Sequence, residues 1–331
     1  MNQKMKILIA YDGSDCSKEA IKDLRRAGLA REIEVSVVSV CDAVLPLPEA
    51  TTPTSNLVNV PQAKLIAYEI EARVEEARVQ ALRAVEEAHK LAEEAVQQLK
   101  SDFPTWDVSA GAMAGTPASA VIKEADDWNA DLIVVGTHGR SALGRLLMGS
   151  VSQKVTVEAH CSVRVARCPV EKSDSPIRIV VGVDGSLSSL AAVREVALRA
   201  WPAGSEALVI AVNNYREPSG IVRMTAAAAP RAALEGVAEE ERLSPPDMIE
   251  IAGEDLRAVA GLHVLSEITE GEPNSVLISE AKTFDADCIF VGSSGSNSHL
   301  ERHTLGSVSA VANGAHCSVE VVRARRIQGV T

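Results

Sequence analysis

Aromatic side chains are almost missing from this chain, at 3% of its 331 residues. A core without them must be filled by Val, Ile, Leu and Ala, which suits parallel strands covered by helices on both faces. Basic charge is also in deficit: 33 Lys and Arg stand against 45 Asp and Glu, giving a formal net charge of −12. So acidic a balance argues against nucleic acid or an anionic membrane surface as the main partner, since both need a basic face, although local basic patches remain compatible with it. No apolar run approaches the ~20 residues of a membrane-spanning helix. The opening MNQKMKILIAYDGS leads straight into a strand with no secretory pattern. None of the six cysteines forms a C-x-x-C pair. They read as small hydrophobes in a reducing compartment, and the cytoplasm is the expected location.

What the chain does have is a repeat. VVGTHGRSALGRLLMGSVSQKV and AHCSVRVAR in the first half return as FVGSSGSNSHLERHTLGSVSAV and AHCSVEVVR in the second. Upstream, KILIAYDGSDCSKEAI from Lys6 matches IRIVVGVDGSLSSLAAV from Ile177. A repeat of half the chain means two copies of one domain, since solenoid units are much shorter. The expected domains are 1–170 and 176–326, joined by a short polar linker at Glu171–Ser175.

Within the first copy, apolar runs at KILIAY, EVSVVSV, WDVSAGAM, DLIVVG and SVRVAR read as buried strands. Helices are expected from Ser14, with Ser14 as cap, and from Thr116, with Pro117 in first position. Residues 43–61 hold four prolines and read as a loop. Gln62 to Lys100 contains no Gly or Pro and carries a recurring apolar stripe, the pattern of one long amphipathic helix. Its stripe is rich in alanine and irregular, which favours packing within the domain over a partner-binding coiled coil. In the second copy, Glu217–Pro246 is rich in Ala, Pro and Glu, and no long helix is expected there. Strands alternating with helices give an α/β fold with a parallel sheet.

Ligands of open parallel sheets bind beyond the carboxyl ends of strands, where the winding reverses. Strand one ends at Tyr11-Asp12 and strand four at Val135-Gly136. If these strands are neighbours, Asp12 faces a loop spaced Gly136-x-x-Gly139, nine residues, then Gly149-Ser150. The first two glycines would let backbone turn tightly and approach an anion; the last pair begins a helix whose free N–H groups favour phosphate. Arg140 and Arg145 add positive charge. No G-K-S/T follows, so this is not a Walker A loop. Nor is it the dinucleotide G-x-G-x-x-G, which follows strand one rather than strand four. The competing explanation is that the glycines only shape a loop and Ser150 only caps a helix. The His160-Cys161 and His316-Cys317 pairs read as helix ends followed by buried thiols rather than as metal ligands.

YDGS, the G-x2-G-x9-G-S pattern and the closing CSVRVAR resemble the universal stress protein family, in both halves of the chain. The glycine pattern resembles that family's ATP-binding branch. The resemblance implies two doubly wound five-stranded parallel-sheet domains with strand order 3-2-1-4-5, packed as an intrachain pseudo-dimer through their fifth strands. It implies ATP at the switch point, with ADP or AMP as alternatives, and Mg²⁺ beside it. Asp12 and Val40 would contact the adenine–ribose end, Gly115 would line the pocket beneath it, Gly136, Gly139, Arg140, Gly149 and Ser150 would hold the phosphates, and Tyr11 and Val151 would also belong to the nucleotide site. The second copy keeps Asp184, Val212, Gly271, Gly292, Gly295, Gly306 and Ser307. However, its spacing is ten residues, and Ser296 replaces Arg140. An extra residue moves backbone by about 3 Å, a hydrogen-bond length, unless a bulge absorbs it.

Three functional readings follow. In the first, the chain is an ATP-binding regulatory protein of the stress response with little or no turnover. In the second, it is a slow ATPase or phosphotransferase using His138, Asp12 and a metal. In the third, it is a scaffold in which nucleotide is structural. Homodimerisation of the whole chain is a further expectation.

Overall fold

A computed structural model describes residues 4–43, 61–139, 148–167, 176–213, 244–293 and 308–324. The linker at 171–175 lies outside these residues, as does most of the expected loop at 43–61 and of the segment 217–246. The chain separates into two compact units, 1–173 and 174–331.

The first unit runs β1 (Met5–Ala10), α1 (Asp15–Asp23), β2 (Ile33–Cys41), α2 (Pro61–Asp102), β3 (Asp107–Ala114), α3 (Pro117–Trp128), β4 (Leu132–Gly136), α4 (Ser150–Glu158) and β5 (Ser162–Ala166). All its strand pairs are parallel, and the order is β3-β2-β1-β4-β5. The second unit runs β6 (Arg178–Val183), α5 (Leu187–Ala197), β7 (Ser205–Asn213), α6 (Pro245–Arg257), β8 (Leu262–Glu270), α7 (Pro273–Thr283), β9 (Cys288–Gly292), α8 (Val308–Gly314) and β10 (Ser318–Val322). Its order, β8-β7-β6-β9-β10, repeats the first.

Each local choice follows from the chain. Ser14 caps α1 by accepting from the Ser17 amide at 3.2 Å, and Ser186 does the same for α5 through Ser189 at 3.1 Å. α3 opens on Pro117 and ends at Asn129, which takes the left-handed conformation at φ 56°. β1, β4 and β5 are sheathed on both faces, so Ile7, Leu8 and Ile9 in succession are all fully buried. The core of the first unit joins Ile7, Ile9, Val35 and Val134 of the sheet to Ile21 of α1 and Val96 and Leu99 of α2. Trp106, stacked on Phe103 with centroids 3.8 Å apart, closes its lower edge. In the second unit the few aromatics are also used inside, Phe290 meeting Trp201 edge-on.

A buried charge at the centre of the fifth strand changes sign between copies. In the first unit Arg164 of β5, 1% exposed, donates from Nε to Asp23 of α1 at 2.6 Å. At the matching place in the second unit stands Glu320 of β10, fully buried. Asp23 is matched there by Glu195, also acidic, and Arg199 one turn later reaches both Glu195 and Glu320. Arg199 thus sets a positive charge between two carboxylates that would otherwise repel. The compensation keeps each unit's helix-to-strand contact paired.

Candidate functional site

β1 and β4 are neighbours, in register Ile7–Leu132 through Ile9–Val134. The chain turns after both strands at the same end of the sheet, where β2 and β5 lie to opposite sides. Asp12 sits in the turn after β1, and its Oδ1 accepts the Ser14 amide at 3.0 Å. The Ser14 hydroxyl in turn donates to the His138 carbonyl at 3.3 Å, tying this turn to the one after β4.

The three glycines of the first unit differ in what they do. A Cβ on Gly136 would lie 2.7 Å from the Cys16 carbonyl oxygen and 2.8 Å from its carbon, so Gly136 is fixed by the approach of the α1 backbone. A Cβ on Gly139 would lie 2.9 Å from Asp12 Oδ2, which places this residue beside the carboxylate, as the spacing suggested. A Cβ on Gly149 would meet Thr137 O at 3.4 Å, His138 Cα at 3.6 Å and Gly139 N at 3.8 Å. The two glycine elements are therefore in contact although ten residues apart in sequence. None of the three takes a left-handed φ. Each leaves room where a Cβ would collide or crowd. Gly115, closing β3, does need its freedom, at φ 143°, and Gly271 repeats it at φ 142°.

The segments on either side of the loop are tied by hydrogen bonds. Gly149 N–H donates to Thr137 O at 2.7 Å, Thr137 N–H to Ala166 O at 3.2 Å, and the Ser152 hydroxyl to Gly136 O at 2.6 Å. α4 begins at Ser150 with Gly149 as its cap residue, and no side chain caps it. Its first-turn amides and positive dipole end thus open beside Thr137–Gly139. His138 Nε2 is shielded from solvent without a hydrogen-bond partner among the described residues.

Val40 is half-buried, paired in register with Met113 of β3, and Val151 is half-buried in the first turn of α4. Tyr11 is 4% exposed and belongs to the core cluster. Arg140 and Arg145 lie outside the described residues, as do Gly295, Gly306 and Ser307 of the second unit. Ser14, Cys16 and Ser152 shape the site but were not expected there. The signal existed for two of them, because D-G-S and G-S-V-S occur in both copies.

In the second unit Asp184 Oδ1 takes both the amide and the hydroxyl of Ser186, at 3.0 and 2.6 Å. A Cβ on Gly292 would lie 2.1 Å from Ser188 backbone, a tighter version of the Gly136 contact. One on Gly185 would lie 2.8 Å from Met248 Cε, so α6 presses a side chain against this turn. Val212 is half-buried and pairs with Thr269 of β8. Away from the crevice, exposed His160 places Nδ1 3.2 Å from Asp126 Oδ2. Among the described residues no three His, Cys, Asp or Glu cluster as metal ligands.

The model of the universal stress protein family matches residues 4–167 and again residues 177–323. The chain belongs to the universal stress protein family. It carries two copies of the family's domain in tandem, each with the sheet described above. A universal stress protein of Methanocaldococcus jannaschii is 31% identical over 168 residues, 51% of this chain and 85% of the relative. One of Thermus aquaticus is 35% identical over 161 residues, 49% of this chain and 97% of the relative. Across both copies, the crystal structure of a universal stress protein from Archaeoglobus fulgidus covers 97% of this chain and 99% of its own, with a TM-score of 0.58 and 20% identity. That last likeness is one of fold. No helix among the described residues is long and apolar enough to cross a membrane.

Proposed function

We propose that the first unit binds an adenine nucleotide, ATP with Mg²⁺, and that the chain is a nucleotide-responsive regulator in the stress response with little or no turnover. The observation that carries this reading is the contact between Gly149, at the uncapped start of α4, and the Thr137–Gly139 turn beside Asp12. Backbone amides, a helix N-terminus and an absence of side chains together suit a phosphate. The buried, unpartnered His138 Nε2 fits an additional phosphate contact.

In this proposal Gly139, Arg140, Gly149, Ser150 and Val151 hold the phosphates, while Asp12, Val40 and Gly115 border the nucleoside. Gly136 contributes by letting α1 approach. Mg²⁺ would come with the phosphates, since it is commonly bound by them together with one or two carboxylates. The bound nucleotide brings charge and a purine; the protein supplies the fixed amides that receive them.

The second unit is proposed to bind more weakly or to take another ligand. Its longer spacing, Ser296 in place of Arg140, and Met248 pressed against Gly185 support this. The test is mass spectrometry of nucleotide released by heat from freshly purified protein, followed by calorimetric titration. Recovery of no nucleotide and no heat with ATP, ADP or AMP would overturn the proposal. Phosphate release at a steady rate of many turnovers would replace the regulator by an enzyme.

A further inference from the structure

Helix α2 is longer than its domain needs. Its second half is buried against β2 and β3 through Ala88, Ala92, Ala95, Val96 and Leu99. From Tyr68 to Gln80 every residue is exposed except half-buried Val74. These thirteen residues extend about 20 Å of helix. Seven of the thirteen residues are charged or polar, as a solvent-facing helix requires, but large apolar side chains stand exposed among them. Ile70 is 52% exposed and Tyr68 71%.

The exposed part also keeps a register. Ile70, Val74, Ala77, Ala81, Ala84 and Ala88 are separated by four, three, four, three and four residues. That alternation is a spacing which a paired helix shares with a helix packed on a sheet, and its alanines permit close approach of two backbones. The seam passes without a break from the projecting half into the buried half, where Ala81 and Ala88 already pack inside the domain. The projecting stretch therefore continues a packing face past the end of the surface that it packs on.

Charge selects the occupant and its direction. The positions flanking the seam are Glu71 and Arg78 on one side, Arg73 and Gln80 on the other. A parallel pair of these helices would bring Arg73 against Arg78 of its partner. An antiparallel pair centred between Val74 and Ala77 brings Glu71 against Arg78, twice by symmetry. We propose that the projecting half of α2 docks antiparallel on the same segment of a second copy of this chain. Val74 and Ala77 then meet their counterparts at the centre, and Ile70 packs at the rim where the partner helix enters its own domain.

The test is the mass of the full chain in solution by sedimentation velocity or light scattering at micromolar concentration. The wild type is expected to be a dimer of whole chains. Replacing Ile70 and Ala77 together by Glu is expected to give a monomer with an unchanged circular dichroism spectrum, since both side chains are exposed. Glu71→Arg should weaken the dimer by about tenfold, as two attractive pairs become repulsive, and Glu71→Arg with Arg78→Glu should restore it. A monomeric wild type would overturn the proposal and point to a cover supplied by the chain itself or by another protein. A dimer that survives the double Glu replacement would overturn it too, by placing the interface elsewhere. Failure of the charge exchange to restore association would overturn the antiparallel register.

Discussion

Gly136→Ala should destabilise the first unit by a backbone collision far smaller than a side chain. The added Cβ lies 2.7 Å from Cys16 O and 2.8 Å from Cys16 C. Neither atom can rotate away, because both belong to the first turn of α1, whose cap is pinned by Ser14 to the turn after β4. To reach ordinary contact, helix and strand must separate by about 0.7 Å. That displacement acts on a core in which Ile21 and Leu24 are almost wholly buried. Overpacking of this kind costs about 1–3 kcal/mol, or roughly 2–4 °C of melting temperature per kcal/mol for a domain of this size. Urea unfolding followed by the fluorescence of Trp106 and Trp128, in a Trp201→Phe background that silences the second unit's tryptophan, reads the effect. Gly292→Ala, where the Cβ falls 2.1 Å from Ser188 backbone, should cost more in its own unit. An unchanged unfolding midpoint in Gly136→Ala would show that α1 does not approach β4 as described.

Gly149 gives the opposite outcome: its φ of −65° and its 3.4 Å clearance accept an alanine without loss of stability. Gly149→Val should then reduce ATP affinity by at least about tenfold, on the order of 1.4 kcal/mol, and wild-type affinity in calorimetry would refute its part in the cradle. Titration of the full chain should resolve a tighter and a weaker site, with Gly149→Val weakening the tighter one; two sites of equal affinity, or an effect on the weaker site alone, would end the asymmetry. Asp23→Ala should destabilise the first unit, because it removes the carboxylate to which buried Arg164 donates, and by more than Glu195→Ala destabilises the second, because Arg199 keeps Glu320; denaturant titration compares them. Glu86 and Lys90 are exposed, and the hydrogen bond and charge of Lys90 hold the Glu86 carboxyl below its usual value. A depressed carboxyl contributes above its unfolded pKa and loses that contribution as pH falls through the folded one. Glu86→Gln should therefore lower helix stability slightly at neutral pH and not in acid, as judged by thermal melts at the two pH values.

The sequence alone determined the repeat, the α/β class and the five strands of each copy. Val, Ile and Ala runs such as KILIAY and DLIVVG are long enough to be buried on both faces and too short for anything but strands. It also placed Asp12 opposite the glycine loop, because strands one and four meet wherever a doubly wound sheet reverses. Why each glycine is there was not legible. Gly136 answers to the Cys16 carbonyl and Gly139 to the Asp12 carboxylate, contacts between segments more than a hundred residues apart. The exchange of Arg164 for Glu320 is visible as a difference between SVRVAR and SVEVVR, but its compensation by Arg199 comes from just past the end of α5, which only folding brings near. The alanine stripe of α2 showed the same ambiguity, since a periodic face reveals that something packs on it and not where that something ends. Only the tertiary structure, by stopping the sheet's cover near Ala81, separated the half that builds the domain from the half that reaches beyond it.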